Sequence, residues 1–85
     1  MPQEAKLRQV ADIMARMADD NSVPRNIRRA AGEAKNALLN KCSDAMVRAS
    51  SAVSILDEIS NDPNMPVHTR TMIWNAISVL ETIKV

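Results

Sequence analysis

This chain of 85 residues has almost no aromatic residues, a single glycine and a single cysteine. One glycine is too few to build a glycine-rich loop that cradles phosphate. Cys42 stands alone, so no intramolecular disulfide and no cysteine metal cluster can form. Trp74 is the only aromatic residue, which leaves the core to Leu, Ile, Val, Met and Ala. These small and aliphatic side chains favour closely packed helices.

The chain also lacks an excess of either charge and any long hydrophobic run. Its 11 basic and 10 acidic residues give a formal net charge of +1, which argues weakly against a dedicated nucleic-acid binder. No apolar run approaches the roughly 18 residues that span a bilayer. The first residues, MPQEAKLRQV, are polar and unlike a signal peptide. We therefore expect a cytoplasmic protein with no membrane partner.

Two segments of the chain begin alike, 42 residues apart (13 to 55). Each contains the end of an amphipathic helix, a polar loop, and a second helix opened by proline, which predicts two helical hairpins. The similarity can come from an internal duplication, or only from the turn chemistry that helical hairpins share. The matching positions are Ile13, Met17, Asp20, Pro24 and Arg28 in the first copy, and Ile55, Ile59, Asp62, Pro66 and Arg70 in the second.

Apolar residues spaced at i, i+3, i+4 and i+7 predict helices over residues 3–19, 24–39 and 44–60, and a fourth from residue 66. Ser43 is the expected N-cap of the third helix, with Asp44 in its first turn. Short loops make consecutive helices antiparallel, so we predict an all-α, four-helix up-and-down bundle forming one domain, residues 1–85. A HEAT-type solenoid is the alternative, but it normally needs three or more hairpins.

The periodicity also predicts which side chains are buried. In the third helix, Val53 and Ile59 join the inward stripe. In the fourth helix, Trp74 and Ile77 are expected to pack inward beside Ile73 and Leu80. A single tryptophan in a small bundle usually anchors the core, whereas an exposed one is typical of a binding hot spot.

Several stretches of the chain carry a family resemblance. VPRNIRRAAGEA (residues 23–34), VSILDEISNDPNMP (residues 53–66) and the following HTRT and IWN closely resemble a small archaeal family of uncharacterised proteins, UPF0147. The resemblance covers nearly the whole chain. It implies a four-helix bundle of archaeal, cytoplasmic origin, and it implies no activity, cofactor or site residue.

The residues that catalysis would need are scattered along the chain. His68 is the only histidine, and Cys42, which we expect to be half-buried in a loop, has no neighbouring base in sequence. One histidine and one distant cysteine do not make a zinc site. The adjacent acidic pairs 19–20 and 57–58 point about 100° apart on a helix rather than together. We therefore expect no enzyme, no metal and no cofactor.

The strongest candidate for binding is an arginine face at the start of the second helix, formed by Arg25, Arg28, Arg29 and Gly32. One interpretation is a contact with an anion or an RNA backbone, with Gly32 allowing close approach. The other is a solvated face whose arginines pair with nearby acids, such as Glu33 four residues after Arg29.

These observations predict a small, non-enzymatic helical interaction module that docks a protein partner or a larger assembly. The alternative is an RNA- or ribosome-associated factor that contacts phosphates through the arginine face, with Arg48 or Arg70 as additional contacts. Both a monomer and a homodimer are compatible with the sequence.

Overall fold

A computed structural model describes residues 3–83 of the chain, and four α-helices make up most of that part. They are α1 (Gln3–Ala18), α2 (Arg25–Leu38), α3 (Ala45–Ile59) and α4 (Val67–Leu80). Each predicted helix is confirmed, and the predicted ends differ by only one residue. Pro24 and Pro66, expected as the first helical residues, instead precede α2 and α4 as their N-caps.

The helices form a closed up-and-down bundle, as the sequence predicts. α1 packs against α2 and α4, and α3 packs against the same two helices, while α1 also touches α3 across the centre. The contact between α1 and α4 closes the ring, which an open HEAT-type stack would leave unformed. Lys6 Nζ donates to Thr82 Oγ1 at 2.9 Å and joins the first helix to the end of the last.

The core runs along the bundle axis and is built from aliphatic side chains and alanines. Small residues such as Ala34, Ala52 and Ala76 are completely buried and let the helix backbones approach each other. The largest fully buried side chains are Leu7, Met14, Ile27, Leu38, Leu56, Ile73, Leu80, Val10 and Thr69.

The predicted burial is wrong for one residue and only partly right for three others. Trp74, expected in the core, is 57% exposed. Val53, Ile59 and Ile77 do pack against the core, as predicted, but they are half-buried rather than fully buried.

All three loops between helices use the same turn. Asp20, Asn40 and Asp62 each accept, through side-chain Oδ1, the backbone N–H of the residue two positions later, at 2.9, 3.1 and 2.8 Å. Their backbone carbonyls accept the N–H three positions later, at 3.0, 3.2 and 3.2 Å. This Asx turn reverses the chain without glycine, which explains how a protein with one glycine makes three tight turns.

The helix after the middle loop begins differently from the prediction. Asp44, rather than Ser43, is the N-cap of α3, and its Oδ1 accepts the backbone N–H of Val47 at 2.9 Å. The Asx turn at Asn40 uses the backbone N–H of Ser43. The N-cap therefore lies one residue later than predicted, at Asp44, the first residue after the turn.

Among residues 3–83, no helix combines the length and the apolar character needed to cross a membrane.

Candidate functional site

The residues considered for catalysis lie far apart in the bundle. Cys42 is in the α2–α3 loop and His68 is in the first turn of α4, at opposite ends of an up-and-down bundle 35 Å long. Both side chains are exposed, which corrects the expectation of a half-buried Cys42. Within the described residues, no three His, Cys, Asp or Glu side chains are grouped so that they could hold a metal ion.

At the end of the bundle that carries His68, a hydrogen bond joins the two hairpins. Asn26 Nδ2, two residues after Pro24, donates to Asp62 Oδ2 in the opposite loop. His68, two residues after Pro66, acts by its charge on Asp20 in the other loop. These four residues occupy positions that correspond in the 42-residue sequence match (26 to 68, and 20 to 62), and the Asn26–Asp62 pair forms a hydrogen bond.

These loops lower the pKa values of two carboxyl groups. The pKa of Asp20 is lowered chiefly by the hydrogen bonds from the Ser22 hydroxyl and backbone N–H, with smaller effects from His68 and Arg28. The pKa of Asp62 is lowered first by the Asn64 backbone N–H and then by Asn26. Both carboxylates thus serve as acceptors that hold loops, which is a structural role.

Two arginines proposed as additional phosphate contacts are already engaged. Arg48 is buried, and its guanidinium donates to the carbonyl of Leu38 and to the carboxylate of Glu4, with the Nε to Leu38 O distance at 2.8 Å. Arg70 donates to the carbonyls of Ser60 and Asp62. In both cases a guanidinium satisfies carbonyls at or just beyond the end of the preceding helix, where a cation is favoured.

The three arginines of the arginine face differ in their exposure and in their hydrogen bonds. Arg25 and Arg29 are exposed, and neither has a hydrogen bond or an ion pair within residues 3–83. Arg28, which corresponds to Arg70 in the sequence match, is half-buried and reaches the loop before its own helix, where Nη1 donates to Asn21 Oδ1 at 3.4 Å. Its Nε is buried without a partner in the described part of the chain. The face therefore offers two free cations and one that is partly engaged.

Next to these arginines the surface is open. Arg25, Arg28 and Arg29, together with Ala18, line a depression of about 550 Å³. Gly32 is half-buried one turn further along α2, and a Cβ added there would have no atom within 4 Å. No close approach within the chain requires this glycine.

A different surface, on α3 and α4, exposes mostly uncharged side chains, although Asp57, Glu58 and His68 are also exposed on these helices. These two helices contact each other, so their outward sides are continuous. We call the uncharged part of this surface the uncharged face. Its exposed residues are Met46, Val47, Ser50, Ser51, Ser54, Val67, Thr71, Trp74, Asn75 and Ser78.

The most apolar positions of the uncharged face are Val67, 81% exposed, and Trp74, 57% exposed. An open groove of about 480 Å³ borders it between α3 and the end of α4. The groove is lined by apolar residues such as Met46, Val53 and Ile83 and also by the acidic residues Asp57 and Glu81. The opposite side of the bundle is heavily charged. Exposed charged residues on α1 and α2 are Glu4, Arg8, Asp12, Arg16, Arg25, Arg29 and Glu33.

Sequence reasoning missed the exposure of Trp74, although a signal for it was present. The 42-residue match aligns Trp74 with Gly32, which the periodicity of α2 had already placed on the outward face. The spacing of Val67, Thr71, Trp74 and Ser78 also follows one helix face, at i, i+4, i+7 and i+11.

With this geometry established, comparison with known proteins decides the family. The model of an uncharacterised protein family, UPF0147, matches residues 1–83. The chain belongs to UPF0147. Its similar UPF0147 relatives include one from Methanothermobacter thermautotrophicus, 56% identical over 75 residues, which cover 88% of this chain and 74% of the relative. Another, from Sulfurisphaera tokodaii, is 52% identical over 81 residues, covering 95% of this chain and 91% of the relative.

Two solved structures share the fold. The crystal structure of a protein of unknown function is 51% identical, has a TM-score of 0.91, and matches 94% of this chain and 91% of its own. The crystal structure of a UPF0147 protein from Thermoplasma acidophilum is 32% identical, has a TM-score of 0.89, and matches 96% of each chain. Membership of UPF0147 thus establishes an archaeal family and a four-helix fold, and the function has to be argued from the surface of this chain.

Proposed function

We propose that this protein is a non-enzymatic interaction module that docks a protein partner or a larger assembly through its uncharged face, with Trp74 as the anchor. The observation that carries the proposal is the 57% exposure of the only tryptophan on a mostly uncharged surface. The earlier expectations of a cytoplasmic protein, and of a monomer or a homodimer, remain predictions.

Physical chemistry favours burial of this surface by a partner. Tryptophan is enriched among the residues that dominate binding energy, and the buried cores of interfaces are depleted of charged residues. Desolvating a charge is costly unless it is paired, whereas the serines, threonine and asparagine of this face carry no charge to desolvate. A partner that covers Trp74 and Val67 therefore meets mostly uncharged side chains, with Asp57 and Glu81 in the adjoining groove.

The arrangement of reactive groups supports a role without catalysis. A nucleophile needs a base within hydrogen-bond reach, and Cys42 and His68 lie at opposite ends of the bundle. Arg48 and Arg70 hold helix-end carbonyls, and Asp20 and Asp62 hold loops. These polar groups serve the fold.

The test is a co-purification from the protein's own cells, with and without ribonuclease, read by mass spectrometry. Wild type is compared with Trp74→Ala and with Arg29→Ala, which changes an exposed residue on α2. We expect a set of proteins that survives ribonuclease, is retained by Arg29→Ala and is lost with Trp74→Ala. Retention of the same set by Trp74→Ala would contradict the proposal.

The second candidate is an RNA- or ribosome-associated factor that contacts phosphates through the arginine face. It is favoured by the open depression beside Arg25 and Arg29, two exposed cations with no partner in residues 3–83. Phosphate contacts release counterions, so such binding would weaken steeply with salt. This candidate predicts that the co-purified set disappears with ribonuclease and with an Arg25→Ala/Arg29→Ala variant, and is unaffected by Trp74→Ala.

A further inference from the structure

We propose that the depression lined by Arg25, Arg28 and Arg29 is a binding site for a terminal phosphate group. The group is a phosphate monoester or a diphosphate, carried either by the end of an RNA chain or by a free small molecule. The inference is separate from docking at the uncharged face. It rests on the second candidate function, because it names the chemical group that the same arginines bind.

Arg28 differs from its counterpart in the second hairpin in how its guanidinium is used. That counterpart, Arg70, donates to two backbone carbonyls, those of Ser60 and Asp62. Arg28 makes only one long contact within residues 3–83, from Nη1 to Asn21 Oδ1 at 3.4 Å, and its Nε is buried without a partner there. An unpaired buried donor is unfavourable. Arg28 therefore brings to the depression donors that the fold does not use.

Arg25 and Arg29 carry charges that this kind of hairpin does not require. The corresponding residues of the second hairpin are Val67 and Thr71, which are uncharged. Arg25 is the first residue of α2, where the helix dipole disfavours a cation, and no acidic residue in the first turn compensates for it. Since neither arginine has an ion pair within residues 3–83, their charges do not stabilise the bundle. A bound anion would neutralise them.

The size and the lining of the depression favour a small group with more than one negative charge. Its volume of about 550 Å³ lies within the usual range of small-ligand sites, about 300–1,000 Å³. Besides the three arginines it is lined only by Ala18. Asp19, Asp20 and Glu33 lie nearby in the chain, and Asp20 acts on Arg28 by its charge, but none of these acids lines the depression.

The number of cations distinguishes a terminal phosphate from a phosphate within a nucleic-acid backbone. A phosphate monoester carries about −1.5 to −2 charges at pH 7, whereas each backbone phosphate carries one. Guanidinium groups bind phosphate oxygens through paired, charge-assisted hydrogen bonds. Three guanidinium groups around one small depression therefore match a terminal phosphate or a diphosphate better than a single backbone phosphate.

The experiment is isothermal titration calorimetry of the full chain at pH 7 and about 50 mM salt with three probes. The probes are inorganic pyrophosphate, a short single-stranded RNA with a terminal phosphate, and the same RNA without it. We expect the phosphorylated RNA to bind at least about tenfold more tightly than the other RNA, and pyrophosphate to compete with it. Binding of pyrophosphate alone would assign the site to a free phosphate compound, and binding of the phosphorylated RNA alone would assign it to RNA ends.

Two double variants that lose the same charge localise the site. Arg25→Ala/Arg29→Ala should weaken binding of the phosphate probes by at least about tenfold. Arg8→Ala/Lys35→Ala also removes two positive charges, at a separate depression between α1 and α2, and should change binding by less than about twofold. Circular dichroism of each variant checks that the helices are intact, and Arg29→Ala alone serves if the first double variant does not fold.

The inference is overturned if neither pyrophosphate nor the phosphorylated RNA binds, or if both double variants weaken binding equally. It is also overturned if pyrophosphate does not bind and the RNA binds equally with and without its terminal phosphate. In that case the arginines contact the backbone, and the second candidate function stands without the inference. Docking at the uncharged face fails separately, if the co-purified proteins do not depend on Trp74.

Discussion

Arg48 shows at the residue scale how this small core accepts a full charge. Its side chain is buried, yet its guanidinium donates to the last carbonyl of α2, at Leu38, and to Glu4 on α1. Nothing in the local sequence predicts this burial, because both partners come from other helices. The buried charge is tolerated because the N–H groups of the guanidinium donate hydrogen bonds to the Leu38 carbonyl and the Glu4 carboxylate.

Replacing Arg48 with methionine should therefore destabilise the protein. Methionine keeps much of the length of the side chain but leaves the Leu38 carbonyl without its donors, which typically costs about 1–3 kcal/mol. The matched control is Arg29→Met, at an exposed position, where we expect a change within about 0.5 kcal/mol. Urea unfolding followed by circular dichroism measures both. Equal stability of the two variants would show that Arg48 contributes no more than a surface residue.

Gly32 leads to the opposite prediction, that a substitution raises the free energy of unfolding. A glycine within a helix costs about 1 kcal/mol relative to alanine, and a Cβ at this position would meet open space. Gly32→Ala should raise the free energy of unfolding by about 1 kcal/mol. Ala34→Gly, at a fully buried position of the same helix, should lower it. A destabilising Gly32→Ala would mean that the glycine is required by the fold.

At the scale of the elements, most of the structure could be predicted because the helices and loops are specified locally. The i, i+3, i+4 spacing of apolar residues gave four helices, and the prolines and Asx residues marked their ends. The single-residue shift of the α3 cap arose because Ser43 and Asp44 are both good caps, and the turn at Asn40 decides between them. In α4, Ile73, Trp74 and Ile77 lie on adjoining faces, so the periodicity alone did not separate inward from outward positions.

The Asx turns give a prediction about acid stability. Folding lowers the pKa values of Asp20 and Asp62, so their ionised forms stabilise the folded state above the ordinary aspartate value of about 3.9, and this contribution is lost as the pH falls below it. Asn40 makes the same turn without a charge. An Asp20→Asn/Asp62→Asn variant should therefore keep its loops and lose stability less steeply than wild type as the pH falls from about 5 to about 2.

The measurement is urea unfolding at a series of pH values, with Asp12→Asn as the control. Asp12 is an exposed carboxylate on α1, outside the loops. The difference in unfolding free energy between wild type and the double variant should shrink toward low pH. A difference that stays constant with pH would show that the two loop carboxylates do not contribute to acid sensitivity.

At the scale of the whole molecule, the bundle has two unlike sides. The exposed parts of α1 and α2 carry many charges of both signs, while those of α3 and α4 are mostly uncharged apart from Asp57, Glu58 and His68. The up-and-down arrangement of the helices could be predicted because the loops that join them are short. The division into two sides was missed because Trp74 was placed inward.

This division makes a prediction about stability as well as binding. Trp74→Ala should change the free energy of unfolding of the monomer by less than about 1 kcal/mol, whereas Ile73→Ala, one residue away and 1% exposed, should cost about 2–5 kcal/mol. Urea unfolding at a low protein concentration, where any dimer has dissociated, compares the two variants. A Trp74→Ala variant as unstable as Ile73→Ala would contradict an outward role for the indole.

Site-specific photo-crosslinking from position 74 tests the docking role of the uncharged face most directly. A photoreactive phenylalanine analogue replaces Trp74 in one variant and Asn36, on the exposed side of α2, in another. After irradiation in the protein's own cells, we predict discrete protein adducts from position 74 that are absent from position 36. Identical adducts from both positions, or none from position 74, would contradict the account.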